Sequence, residues 1–182
     1  GTPGISDPGH RLVVAVIAAG HVVTAVPGAS AVLTALTISG LPSDRFVFEG
    51  FLPRSGRERS ARLALIAAEL RTVVIYEAPH RIERTLTDLR DACGPDRPAA
   101  VCRELTKLHE EVLRGSLGEL VAALGEPRGE YVVVIGGAPE SPTPTTDDVA
   151  KLVQEELARG ASTRDAANSV AAITGVSKKV VY

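Results

Sequence analysis

The sequence predicts an α/β protein with two layered domains and a small helical module after them, on three observations. Near-continuous apolar runs at 72–76, 99–103 and 131–135 read as strands covered on both faces. Stretches of helical period alternate with them, at about 57–70, 80–92 and 116–124. A proline- and threonine-rich linker, PESPTPTT at 139–146, then separates this pattern from two further helical stretches.

Taken in order, residues 1–9 (GTPGISDPG) hold too much Pro and Gly for helix or strand. Asp7 is placed to cap the helix that follows. Residues 10–19 are apolar at helical spacing and stop at Gly20. The β-branched run at 22–26 reads as a short strand leading into the Pro27-Gly28 loop. Gly28 permits backbone angles closed to other residues. A helix opens near Ala29 or Ser30 and stops at Gly40. Ser30 suits its N-cap, and the free N–H groups there either complete a plain strand–turn–helix corner or face an acceptor-rich ligand. Loop, helix, strand, loop and helix in succession are what a parallel sheet gives, with ligands at the carboxyl ends of its strands.

LPSD at 41–44 reads as a connector, and a strand at 45–48 opens the second domain. The predicted divisions are therefore 1–43 (the C-terminal part of a first α/β domain), 44–138 (a second α/β domain), 139–146 (linker) and 147–182 (helical module). Within the module, helices at 146–158 and 162–173, a turn at Gly175 and a helix capped by Ser177 read as a helix-turn-helix or as a plain helical hairpin.

Lys and Arg total 20 against 22 Asp and Glu, a net charge of −2. That excludes a broadly basic nucleic-acid coat, so any RNA contact must be local. Three Phe, three Tyr and no Trp leave little material for a base-stacking platform. Cys93 and Cys102 form neither a metal-ligand pattern nor a disulfide framework, and the four His are scattered. This fits a reducing, cytoplasmic setting with no metal. No apolar run approaches the roughly 20 residues needed to span a membrane, and no signal peptide is seen.

Five stretches follow one another in order: GTPGISDPG (1–9), VPGASAVLTAL (26–36), GLPSDRF with EGFLP (40–53), YEAPHR (76–81) and RELTK (103–107). With these the chain resembles the ribosomal RNA small subunit methyltransferase I family, of the tetrapyrrole methylase-like class. In that family a first strand and several further elements precede this point, so the N-terminal part is expected to be missing here. The resemblance implies S-adenosylmethionine as methyl donor and 2′-O-ribose methylation of a cytidine in 16S ribosomal RNA. It also implies the small ribosomal subunit as partner and pairing into a homodimer.

By the same resemblance the donor lies in the cleft between the two α/β domains. It would be held by Gly1, Thr2, Pro3 and Ile5, by Ser30 and Ala31 at the corner, by Tyr76 and Glu77, and by Gly129 and Glu130. Motif position makes Glu77 or Glu104 the group that positions or deprotonates a ribose hydroxyl, with Lys107 near the developing oxyanion. A structural pairing of Glu77 with Arg81, or of Arg103 with Glu104, is the competing reading. Arg54, Arg57, Arg59 and Arg62, and Lys178 with Lys179, read either as phosphate contacts or as solvated helix starts. Two other functions stand beside the RNA methylase: a methylase of the same fold acting on a porphyrin precursor, and an RNA-binding fragment without activity. GLPSDRF, EGFLP and the helical module favour the RNA branch.

Overall fold

The computed structural model describes residues 2–139 and 145–174. The expectations that fall on Gly1, Gly175, Ser177, Lys178 and Lys179 lie outside the described residues. The chain forms two units, Gly1–Pro139 and Glu140–Tyr182.

In the first unit the elements run α1 (His10–Ala18), α2 (Ala31–Ser39), β1 (Phe46–Phe51), α3 (Gly56–Ala68), β2 (Thr72–Glu77), a 3-10 turn (Pro79–Arg81), α4 (Ile82–Cys93), β3 (Pro98–Arg103), β4 (Glu111–Ser116), α5 (Leu117–Ala123) and β5 (Tyr131–Ile135). The five strands make one sheet in the order β1-β2-β5-β3-β4. Strands β1 and β2 are parallel with α3 crossing between them, whereas every other neighbouring pair is antiparallel. The sheet is thus mixed, with the three apolar runs at its centre.

Side chains alternate across a strand, and the two faces collect different partners. Val73, Ile75, Val101, Val133 and Ile135 pack with Ile66, Leu86, Leu89 and Leu120 under α3, α4 and α5. Val74, Ala100, Cys102, Val132 and Val134 pack with Val32, Ala35 and Leu36 under α2. Cys102 is fully buried, and burial pushes its thiol up to about 11, which leaves it unreactive at neutral pH.

The same alternation sets two consecutive residues at the end of β2 on opposite faces. Tyr76 belongs with the α2 side. Glu77 turns to α4, where its Oε2 accepts from Thr85 Oγ1 at 2.7 Å and its Oε1 from Ala78 N at 2.9 Å. Arg81 Nε lies 3.3 Å from Oε1. The network continues through Arg59, which donates to Thr85 Oγ1, to Asp88 and to the carbonyl of Pro53. Arg81 ties the carbonyl of Leu52 to the same cluster. Buried polar groups satisfied in this way fix the relative positions of β2, α3, α4 and the chain leaving β1.

Two local expectations are corrected, and one strand is added to those expected. Residues 22–26 are not a strand: Val22 and Val26 are about nine-tenths exposed, and among the described residues no neighbouring strand offers them a ladder. Asp7 does not cap α1, whose N-cap is Gly9 with no side-chain bond. Strand β4 was not foreseen. Its sequence EVLRGS is a half-exposed edge strand broken up by charge, as edge strands commonly are.

The second unit holds α6 (Thr146–Ala158) and α7 (Thr163–Thr174). Thr145 and Asp148 form a reciprocal capping box at the start of α6. Among its described residues, Val149, Ala166, Ala167 and Val170 are the buried apolar ones.

Replacing Thr85 by Val removes the donor to Glu77 Oε2 and one of the acceptors of the Arg59 guanidinium, so a loss of about 1–3 kcal/mol in unfolding free energy is expected. Denaturant unfolding of the variant checks it, and an unchanged midpoint would show that the network is dispensable.

Candidate active site

The strand register brings one end of all five strands into a row. Phe51 pairs with Tyr76, Glu77 with Tyr131, Tyr131 with Arg103, and Arg103 with Glu111. The C-terminal ends of β1, β2 and β3 therefore lie beside the N-terminal end of β5. At this edge the strands emerge from their apolar cover, and charged residues begin.

A cavity of about 600 Å³ opens there, within the usual range of roughly 300–1,000 Å³ for ligand sites. One wall is the loop carrying Thr2, Ile5, Ser6 and Asp7, and a second is the corner at Ser30 and Ala31. The floor is the row of strand ends: Phe51, Tyr76, Glu77, Glu130, Tyr131 and Val132, with Ala78 and Pro79 beside them. Loop and corner are joined by Thr2 Oγ1, which donates to the carbonyl of Ala29 at 3.1 Å.

Ser30 is the N-cap of α2, its side chain accepting from Leu33 N. Gly40 closes the helix in the left-handed conformation. Tyr76 is held edge-on by Phe48 and Phe51, with ring centroids 4.9 and 5.7 Å away. Burial raises the pKa of its phenol, and a hydrogen bond from the backbone of Val32 acts the other way. The phenol therefore serves as a neutral group at physiological pH.

Behind Glu130 sits an exposed charge cluster. Lys107 Nζ lies 2.8 Å from Glu130 Oε2 and 2.9 Å from Glu104 Oε1. Glu104 Oε1 also accepts from Glu130 N at 3.0 Å. The bond from Lys107 lowers the pKa of Glu104, with the Glu130 backbone bond next in effect. The bonds to Glu130 and then Glu104 raise that of Lys107. Gly129 is required beside them: its φ is +73°, and a Cβ there would sit 2.5 Å from Glu104 Cγ.

Of the residues expected to hold a donor, Thr2, Ile5, Ser30, Ala31, Tyr76, Glu77 and Glu130 all line this one cavity. Pro3 and Gly129 do not line it, and Gly1 lies outside the described residues. The loop residue Ser6 and the aromatic Phe51 line it without having been singled out, as does Asp7, which was expected only as a helix cap. Arg103 turns away, its guanidinium 3.3 Å from Glu111 and beside a smaller cavity of about 160 Å³.

Among the arginines, Arg54 and Arg57 are exposed and have no ion pair or hydrogen bond within the described residues. Arg62 is half exposed and pairs with Glu49. Arg59 is 4% exposed, with its guanidinium engaged by the network under α4. The expectation of a surface phosphate contact at Arg59 is therefore corrected: α3 turns this residue inward. Among the described residues no group of three or more His, Cys, Asp or Glu is arranged to hold a metal ion. No described helix is long and apolar enough to cross a membrane.

The profile of the family described as Tetrapyrrole (Corrin/Porphyrin) Methylases matches residues 1–121. A ribosomal RNA small subunit methyltransferase I of Mycobacterium tuberculosis is 51% identical over all of this chain and 64% of its own length. One from Synechocystis is 44% identical, again over all of this chain and 67% of its own length. The chain thus spans about two thirds of the length of these relatives. Among solved structures, uroporphyrin-III C-methyl transferase from Thermus thermophilus, complexed with S-adenyl homocysteine, superposes with a TM-score of 0.53 at 20% identity. That match covers 75% of this chain and 62% of the other. At that identity the likeness speaks for the fold, and it is an α/β tetrapyrrole methylase fold. Taken with the relatives, it places the chain in the ribosomal RNA small subunit methyltransferase I family.

Proposed function

We propose that the cavity at the strand ends takes S-adenosylmethionine, and that the protein transfers its methyl group to small-subunit ribosomal RNA, at the 2′-oxygen of a cytidine ribose. The observation that carries this is the convergence of the Thr2–Asp7 loop, the Ser30 corner and the Tyr76–Glu77 strand end on one cavity, in a chain whose relatives carry that name.

The residues present fit such a donor. The free N–H groups at the start of α2 suit a carboxylate, Phe51 and Tyr76 offer flat apolar surface, and the loop offers backbone donors and acceptors. When bound, the donor supplies a methyl group on a positively charged sulfur, and no metal takes part. The chain's own task is to hold the acceptor in line and to answer the charge that develops on its oxygen.

Glu77 has both carboxylate oxygens engaged on the α4 side, so its role is to position the end of β2. Lys107, with its pKa raised by two carboxylates, stays cationic through the neutral range and faces the developing oxyanion. Glu104, with its pKa lowered, is a weak base and serves to aim Lys107. Arg54 and Arg57, with Arg62 behind them, supply phosphate contacts that position RNA without reading its sequence. Lys178 and Lys179 belong to the same proposal. The protein pairs as a homodimer in the cytoplasm, and light scattering at twice the chain mass checks the pairing.

The test is transfer from labelled S-adenosylmethionine to unmethylated small subunits by a protein of the relatives' full length. Label in the 2′-O-methyl of one cytidine is the expected result. Transfer to a porphyrin precursor and none to RNA would contradict it.

Lys107→Ala should lower the rate about 10²-fold or more if the ammonium answers the oxyanion; a rate within a factor of a few would remove that role. Reversing Arg54 and Arg57 to Glu should reduce the salt dependence of RNA binding, each lost phosphate contact flattening the log–log slope by about 0.7–0.9. An unchanged slope would return both arginines to the status of a solvated helix start.

A further inference from the structure

The carboxylates of the site are not equivalent. Glu77 is sealed into the network under α4, and Glu130 and Glu104 share Lys107. Asp7 also lines the cavity, and it carries no hydrogen bond or ion pair among the described residues. It is exposed to solvent and caps no helix.

Asp7 is not placed by chance. Strand β1 has a register break between Phe48 and Gly50, and Gly50 sits at φ +64°. A Cβ on Gly50 would be in ordinary contact with Ser6 Oγ at 3.4 Å, so the loop lies directly against the strand at its bulge. Ser6 itself takes φ +53°, a conformation uncommon for a residue with a side chain. Asp7 follows directly and sits in the cavity wall. The other titratable groups in the wall are Tyr76, Glu77, Glu130 and Tyr131, with Lys107 behind Glu130.

We propose that Asp7 is the general base of the site, accepting the proton of the hydroxyl that becomes methylated. This assignment rests on reading the cavity as a site of transfer to an oxygen. As the hydroxyl oxygen bonds to the methyl carbon, its proton passes to an Asp7 carboxylate oxygen. The electron pair of the broken carbon–sulfur bond stays on sulfur, and exposed Asp7 returns the proton to solvent. A base must be a free carboxylate within reach of the acceptor, and Asp7 alone among the described carboxylates lining the cavity has no partner to displace.

The experiment uses a protein of the relatives' full length with Asp7→Asn and Asp7→Glu. Calorimetry with S-adenosylhomocysteine and single-turnover transfer to unmethylated small subunits are measured across a range of pH. Because Asp7 makes no hydrogen bond or ion pair among the described residues, thermal unfolding of both variants should match the unaltered protein. Asp7→Asn is expected to slow the single turnover by about 10²–10⁴-fold, to abolish the acidic limb of the pH–rate profile, and to leave S-adenosylhomocysteine affinity unchanged. Asp7→Glu should recover part of the rate. A rate unaffected by Asp7→Asn overturns the assignment. So does a loss of rate matched by an equal loss of S-adenosylhomocysteine affinity, which would make Asp7 a donor ligand. Absence of transfer by the unaltered protein overturns the reading on which the assignment rests, and the two failures are told apart by that control.

Discussion

A strand covered on both faces can carry no charge along its length, because a buried charge without a partner costs several kcal/mol. Strands β2, β3 and β5 are covered by α2 on one side and by α3, α4 and α5 on the other. Their polar chemistry is thereby confined to their ends, and the register decides which ends meet. Parallel pairing of β1 with β2 and antiparallel pairing of β2 with β5 and of β5 with β3 put Phe51, Tyr76, Glu77, Tyr131 and Arg103 in one row. The site follows from that constraint: the sheet supplies a floor, and the loop at 2–7 and the N-terminus of α2 supply walls.

Within this floor, alternation along β2 separates two jobs. Tyr76 looks into the cavity between Phe48 and Phe51. Glu77, one residue later, reaches mainly away to Thr85 and Arg81. A carboxylate that touches a site is easily taken for its base, yet a carboxylate held by two donors and a guanidinium has its lone pairs engaged. The geometry instead divides the labour. Glu77 fixes the strand end, the cluster of Glu104, Lys107 and Glu130 holds a cation at one rim, and Asp7 has no partner among the described residues at another.

Much of this was legible in the residues. The helix and strand positions follow from period, and the Pro27-Gly28 corner with its Ser30 cap was readable from chemistry that acts within a few residues. What depended on distant neighbours was not. Residues 22–26 have the composition of a strand, but a strand exists only as half of a ladder. Strand β4 has a weak composition and exists because β3 templates it along six paired positions. Arg59 looked like one of four equivalent surface arginines, and only the turn of α3 shows that it faces inward. Asp7 looked like a cap because it precedes a helix closely. Its place in the cavity wall follows from a loop that lies against the bulge at Gly50, more than forty residues away along the chain.

The central claim is that the donor sits at the strand ends. Hydrogen–deuterium exchange on a protein of the relatives' full length, with and without S-adenosylhomocysteine, tests it without requiring turnover. Slower exchange in the loop at 2–7, at the start of α2, and at the facing ends of β2 and β5 is the predicted result. Protection confined to other elements, such as α3 and α4 or the helices α6 and α7, would contradict the account.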